Sequence, residues 1–248
     1  MQTTGNTAMV GGNGGGAGDG EEPTNLPGGL KQRGFVPPPG ATRITLIRHG
    51  QTQPAHADRT FPLIDGQGNP ELTDLGRRQA ERVADRFGET DFDVIIVTNM
   101  IRTQQTAAPL AARLGLQPVE DADLREVHLG EWEGGRFRVE AAAGNALFSE
   151  IYATGRYDVI PGAEAHEAFV ERILAGYQRA LHAHRGGHVA LVVHGGVIGA
   201  LLAAITGAPR RTFFAPDNCS VSEIVELEDS ALLRSFNIVD HLKGLPAH

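Results

Sequence analysis

The sequence predicts an α/β fold in which helices cover both faces of a mostly parallel central sheet. Three short runs carry this expectation: "RITLI" (43–47), "DVIIVTN" (93–99) and "HVALVVHGG" (188–196). Each is rich in β-branched and aliphatic residues, the pattern of a strand buried on both sides. The segments between them have helical periodicity, and strands alternating with helices define this class.

After the first strand, "TDLGRRQAERVADRF" (73–87) spaces Leu75, Gln79, Val83 and Phe87 four apart, flanked by Ala80 and Ala84. Thr73 can cap it. The second strand leads into "IRTQQTAAPLAARLG" (101–115), a helix stopped by Gly115 and open to bending at Pro109. Residues 139–155 read as one helical segment. In "AEAHEAFVERILAGYQRALHAH" (163–184), Phe169, Ile173, Tyr177 and Leu181 share a face with Val170 and Leu174 beside them. "VIGALLAAITG" (197–207) follows the third strand and is apolar enough to be buried. "CSVSEIVEL" (219–227) and "ALLRSFNIV" (231–239) read as closing strands, a hairpin around "EDS". Residues 1–40, with "GGNGGGAGDGEEP" and "FVPPPG", bury too little apolar surface to offset backbone entropy and are expected to be a disordered tail. The folded domain is expected over 41–248.

A formal net charge of −8 over 248 residues disfavours nucleic-acid or anionic-membrane partners, so a bound anion needs a local cluster of cations. The single Cys219 leaves no intrachain disulfide and no cysteine-based zinc site. No apolar run approaches the ~18 residues of a membrane span, and the first residues lack a secretory pattern. A cytoplasmic location is expected. Homodimerisation is compatible with the sequence, which does not specify it.

In open α/β sheets the ligand site lies beyond the carboxyl ends of the strands. Here the first strand ends "IRHG" and the third ends "VVHGG", while Arg102 follows the second within the first turn of its helix. If these strands are parallel neighbours, Arg48, His49, Arg102 and His194 meet at one edge. Guanidinium forks match phosphate oxygens, and the start of the 101–115 helix adds free N–H groups. Glycines such as Gly50 and Gly195 let backbone pass close to a ligand. Nearby cations keep His49 neutral and nucleophilic. The chemistry indicated is phosphoryl transfer to His49, with Arg48, Arg102 and His194 on the equatorial oxygens. Two histidines could instead hold a metal. Adjacent arginines would repel a divalent ion, however, and no H-x-x-x-H spacing is present, so neither metal nor cofactor is expected. The proton donor for the leaving oxygen is sought among Glu126, Glu131 and Glu133 in "DLREVHLGEWEGG" (123–135), with Asp123 weaker.

Five stretches, "LIRHGQT", "LTDLGRRQA", "TNMIRTQQTA", "LREVHLGEWEG" and "VVHGG", resemble in order and spacing the motifs of the histidine phosphatase superfamily, in the branch shared with cofactor-dependent phosphoglycerate mutase. The resemblance spans roughly 43–227. It implies a three-layer α/β/α sandwich, no metal, and a small phosphorylated substrate. By position it makes His49 the nucleophile that becomes phosphohistidine and Glu126 the proton donor. Arg48, Arg102 and His194 complete the phosphate pocket, and Thr52 reaches the phosphate. The chain departs from the pattern in three places. Ala55 stands where the family often has Asn, with Gln53 and His56 nearby. Thr98-Asn99 replaces Ser-Pro, which points Asn99 to the substrate. "PGAEA" (161–165) replaces "PGGES". The resemblance implies a phosphomonoesterase first. A mutase is the alternative, although the Tyr/Pro-rich segment of mutases has no counterpart in "RFRVEAAAGNALFSEIYATGRYDVIPG". A non-catalytic binding module is the third reading, and retention of His49, both arginines, Glu126 and His194 argues against it. The pocket mouth is expected from 53–71 and 128–162. Arg59, Arg136 and Arg138 are its candidate cations, each with surface solvation as the alternative. His128 and Trp132 are candidate entrance residues.

Overall fold

A computed structural model describes residues 32–246. Most of the expected tail, residues 1–31, lies outside the described residues. Two compact units divide between Val36 and Pro37, and everything below concerns the second. In chain order it comprises β1 (Thr42–Arg48), β2 (Leu63–Ile64), β3 (Gln67–Gly68), α1 (Asp74–Phe87), β4 (Val94–Val97), α2 (Ile101–Leu114) and β5 (Val119–Glu120). There follow α3 (Arg136–Ala142), α4 (Ala146–Thr154), α5 (His166–Ala183), β6 (His188–Val193), α6 (Gly195–Thr206), β7 (Val221–Glu226) and β8 (Ala231–Ile238).

The main sheet has the order β5-β4-β6-β1-β7-β8. β5, β4, β6 and β1 are parallel, and β7 and β8 add an antiparallel edge. Alternation along the strands divides the core. Ile44, Leu46, Val189, Leu191 and Val193 face α5 and α6, where they meet Phe169, Ile173 and Leu201. Ile47, Ile95, Val97, Ala190 and Val192 face the other way, onto Val83, Phe87 and Leu110 of α1 and α2. The result is the helix–sheet–helix sandwich expected from the sequence, and β4, β6 and β1 are the parallel neighbours on which the site argument depends.

Two local expectations change, and the stop expected at Gly115 is found. The 139–155 segment is two helices, because Gly144 adopts φ +71° and the Asn145 side chain accepts the Leu147 N–H to start α4. The third strand ends at Val193, and Gly195 and Gly196 belong to the first turn of α6. α2 runs through Pro109 without interruption and ends at Gly115 in the left-handed conformation.

Candidate active site

A cavity of about 370 Å³ opens at the carboxyl ends of β1 and β6 and the start of α2. Arg48, His49, Arg102, Glu126 and Gly195 are among its lining residues. That size is typical of small-ligand sites, which run from roughly 300 to 1,000 Å³.

His49 is 5% exposed and is gripped on all sides. Its backbone N–H donates to Val193 O at 2.9 Å, and its carbonyl accepts from Asn218 Nδ2 at 2.9 Å. The ring Nδ1 stands 2.8 Å from Gly50 O. A carbonyl can only accept, so Nδ1 carries the proton and Nε2 keeps its lone pair. Burial first, then the charges of Arg102 and Arg48, hold the imidazole well below its ordinary pKa. It is therefore neutral at pH 7. Gly50 serves packing: a Cβ there would lie 2.6 Å from Gly76 O in α1. The Gly50 N–H donates to Thr106 Oγ1 of α2 at 2.9 Å, which ties the His49 turn to the helix bearing Arg102.

Arg48 donates from Nη1 to Pro216 O, and its buried Nε has no protein partner. Arg102 donates from Nη1 to Gly68 O at 2.9 Å and from Nε to His194 Nδ1 at 3.3 Å. Burial lowers the Arg102 pKa to about 10, partly opposed by Glu126, so it remains a cation at neutral pH. His194 is fully buried, with its ring centroid 5.3 Å from that of His49. Since Nδ1 accepts from Arg102, Nε2 carries the proton and donates to Thr98 Oγ1 at 3.1 Å. His194 thus stands behind Arg102 and is not among the cavity-lining residues, whereas the expectation had it holding a phosphate oxygen directly.

Glu126 reaches the cavity from the loop after β5. Its Oε2 accepts from Gly196 N at 3.0 Å, at the positive end of α6, and Oε1 accepts from Val127 N at 3.0 Å. Gly196 makes the room, since a Cβ there would lie 2.4 Å from Glu126 Oε1. Arg172 of α5 pins the loop through the carbonyls of Asp123 (2.6 Å), Arg125 (3.0 Å) and Glu126 (3.3 Å). Among the other candidate acids, Glu133 lines the cavity and exposed Glu131 does not. Glu133 accepts from Gly68 N at 2.7 Å and Leu129 N at 2.8 Å.

Thr52 is buried, and its Oγ1 accepts from Arg138 Nη2 at 2.7 Å. It is not itself among the lining residues. Asn99 is placed away from the cavity, with Nδ2 donating to Asp65 Oδ2 at 3.2 Å. Its expected contact with substrate therefore lacks support from position. One of the N–H groups expected to be free at the start of α2 is already taken, because Asn69 Oδ1 accepts the Ile101 N–H at 2.9 Å. Arg138 enters the cavity wall, Arg59 pairs with His56 at 2.6 Å, and Arg136 pairs with Glu140 at 3.0 Å. Trp132 both packs against Ile151 and Ile160 and lines the cavity, while His128 does not line it.

Sequence reasoning missed the segment 215–219, which supports the nucleophile from behind. Besides the Pro216 and Asn218 contacts, Cys219 N donates to Arg48 O at 3.1 Å. Ala215 and Cys219 adopt positive φ (52° and 54°), a conformation that costs non-glycine residues about 1–3 kcal/mol. The turn composition of "APDN" was the available signal. The role of Arg172 depends on contacts across 46 to 49 residues of chain and carried no signal. Among the described residues, no group of three His, Cys, Asp or Glu is placed to hold a metal ion. Nor is any helix there long and apolar enough to cross a membrane.

Comparison with known proteins yields consistent matches. A family model described as "Histidine phosphatase superfamily (branch 1)" matches residues 44–239. "Phosphoglycerate mutase-like protein 4" of Arabidopsis thaliana is 36% identical over 172 residues, covering 68% of this chain and 73% of that protein. "Metal-independent phosphoserine phosphatase", also of Arabidopsis thaliana, is 28% identical over 208 residues, 82% of this chain and 84% of that protein. A solved structure of mycobacterial glucosyl-3-phosphoglycerate phosphatase superposes with a TM-score of 0.64 at 28% identity, covering 80% of this chain and all of that one (100%).

Proposed function

Since the chain belongs to branch 1 of the histidine phosphatase superfamily, we propose that it is a metal-independent phosphomonoesterase that works through a phosphohistidine at His49 on a small phosphorylated metabolite. One observation carries this reading. His49 presents an unprotonated Nε2 in a cavity whose wall also holds Arg48, Arg102 and Glu126.

The reaction follows from those positions. Arg48 and Arg102 take the non-bridging oxygens, and the partnerless Nε of Arg48 gives one donor without breaking a protein contact. His49 Nε2 attacks phosphorus; the N–P bond forms as the P–O bond to the alcohol breaks. The Glu126 carboxyl group, on the same wall, is the donor of the proton that the leaving oxygen takes up. A water then attacks phosphorus, Glu126 takes its proton, the N–P bond breaks, and inorganic phosphate departs. His194 holds Arg102 in place through Nδ1, and Thr52 does the same for Arg138. Gly195, against Arg48 on the cavity wall, lets the phosphoryl group approach the start of α6.

The phosphatase reading draws on two relatives whose names describe phosphatases of small metabolites. The 36% relative keeps a mutase reading in view. A mutase must also grip a phosphoglycerate carboxylate and exclude water. The decisive experiment is hydrolysis of p-nitrophenyl phosphate in the presence of EDTA, with 2- and 3-phosphoglycerate interconversion assayed in parallel. Hydrolysis that resists EDTA and is abolished by His49→Ala supports the proposal. Bisphosphoglycerate-dependent interconversion without hydrolysis would assign a mutase, and inactivity in both assays a binding module.

A further inference from the structure

The cavity beyond the phosphate site has an unusual wall. Phe61, Phe137, Phe148, Tyr157 and Phe214 all line it while remaining half-buried, so their rings are not sealed into the core. Four of them form one cluster centred on Phe137, and Phe61 lies apart under Arg138. Phe137 lies 5.5 Å from Phe148 and 6.0 Å from both Trp132 and Tyr157, and Tyr157 stacks on Phe214 at 6.5 Å. Burial raises the pKa of the Tyr157 phenol, so it stays neutral.

Three polar side chains on the same wall, Gln67, Glu133 and Arg138, already spend part of their hydrogen-bonding capacity on the protein. Gln67 donates from Nε2 to Glu126 O at 2.8 Å. Both oxygens of Glu133 accept backbone N–H groups. Arg138 donates to Thr52 Oγ1 and, at 3.0 Å, to Gln53 O, with its guanidinium 5.7 Å over the Phe61 ring. Where it meets the ring faces, a polyhydroxylated leaving group would bury hydroxyls without partners, and unpaired buried polar groups are costly. A flat apolar group gains what a sugar loses.

We infer that the preferred substrates are phosphomonoesters of apolar, preferably aromatic, alcohols, seated on the wall formed by Phe61, Phe137, Phe148, Tyr157 and Phe214. The inference rests on the phosphatase reading and names the class of its leaving group. Arg138 sits at the rim as a cation over Phe61, and a substrate carboxylate is its rival use.

The test compares benzyl phosphate with glycerol 3-phosphate, whose alkoxides are similarly poor leaving groups, and with 3-phosphoglycerate. Burying a phenyl ring predicts a kcat/KM preference for benzyl phosphate of at least about tenfold over both. Phe148→Ala should shrink that preference several-fold. Calorimetry with the His49→Ala protein supplies a readout independent of turnover, and benzyl phosphate should again bind more tightly. Equal or reversed preference in a protein that hydrolyses p-nitrophenyl phosphate overturns the substrate class and leaves the phosphatase reading standing. A preference for 3-phosphoglycerate that Arg138→Leu removes overturns it too, by assigning Arg138 to a carboxylate. No hydrolysis of any ester, with no binding preference, overturns both.

Discussion

At the scale of single residues, the site depends on which nitrogen of each histidine carries a proton. His49 is fixed with Nε2 free by the Gly50 carbonyl, and His194 with Nε2 protonated by Arg102 and Thr98. The depressed pKa of His49 has a definite sign in kinetics. The nucleophile is lost only when pH falls below a value under its ordinary ~6.5. The acid limb of kcat/KM should therefore lie no higher than about 6, where the phosphomonoester itself gains a proton. A limb near or above pH 7 in a pH–rate profile would contradict a neutral, buried nucleophile. Glu126→Gln should cost more with an alkyl phosphate than with p-nitrophenyl phosphate, about tenfold or more in the ratio, because only the poor leaving group needs the proton. Equal losses would move the donor role to Glu133. Arg48, His49, Arg102 and His194 were legible in the sequence as candidates because they stand at or just beyond strand ends, whereas Glu126 was singled out from Glu131 and Glu133 only by the family resemblance. Orientation was not legible. That His194 faces Arg102 and that Asn99 turns to Asp65 follow from contacts across 92 and 34 residues.

At the scale of elements, two close approaches hold the machinery. α1 packs against the turn after β1 through glycines on both sides, and a Cβ on Gly76 would lie 2.1 Å from Gln51 O. Backbone cannot give way there as a side-chain tip can. Gly76→Ala should therefore destabilise the fold by about 1–3 kcal/mol in urea titration and lower activity with it. The loop bearing Glu126 hangs on Arg172, so Arg172→Met should lower kcat more than it raises KM; unchanged kcat would show that the loop holds its place without it. Periodicity made α1, α2, α5 and the three parallel strands legible. It could not separate α3 from α4, because the break rests on one positive-φ glycine and one side-chain cap. The aromatic wall draws Phe61 and Tyr157 from loops, Phe137 from α3, Phe148 from α4 and Phe214 from beyond α6, so it emerged only in three dimensions.

At the scale of the whole molecule, the parallel order β4-β6-β1 brings three chain-distant strand ends to one edge. Burying imidazoles there and elsewhere has a thermodynamic consequence. His49 and His194 have pKa values well below the ordinary one, and burial with Arg43 nearby lowers His188 to about 4. The unfolded chain takes up protons on these rings from about pH 6.5, which the folded chain resists. Stability is therefore fully present above about pH 6.5 and falls as pH drops toward 4. Urea midpoints measured at pH 7.5 and 5 should decrease, and a flat or rising trend would contradict burial of neutral histidines. The central claim is covalent transfer to His49. It is tested most directly by mixing the protein with 2,4-dinitrophenyl phosphate, quenching in alkali, where phosphohistidine survives, and mapping the phosphoryl group by mass spectrometry. A phosphoryl group on the peptide containing His49, absent from His49→Ala, is the predicted result. A phosphoryl group on another residue, or undiminished turnover in His49→Ala, would contradict it.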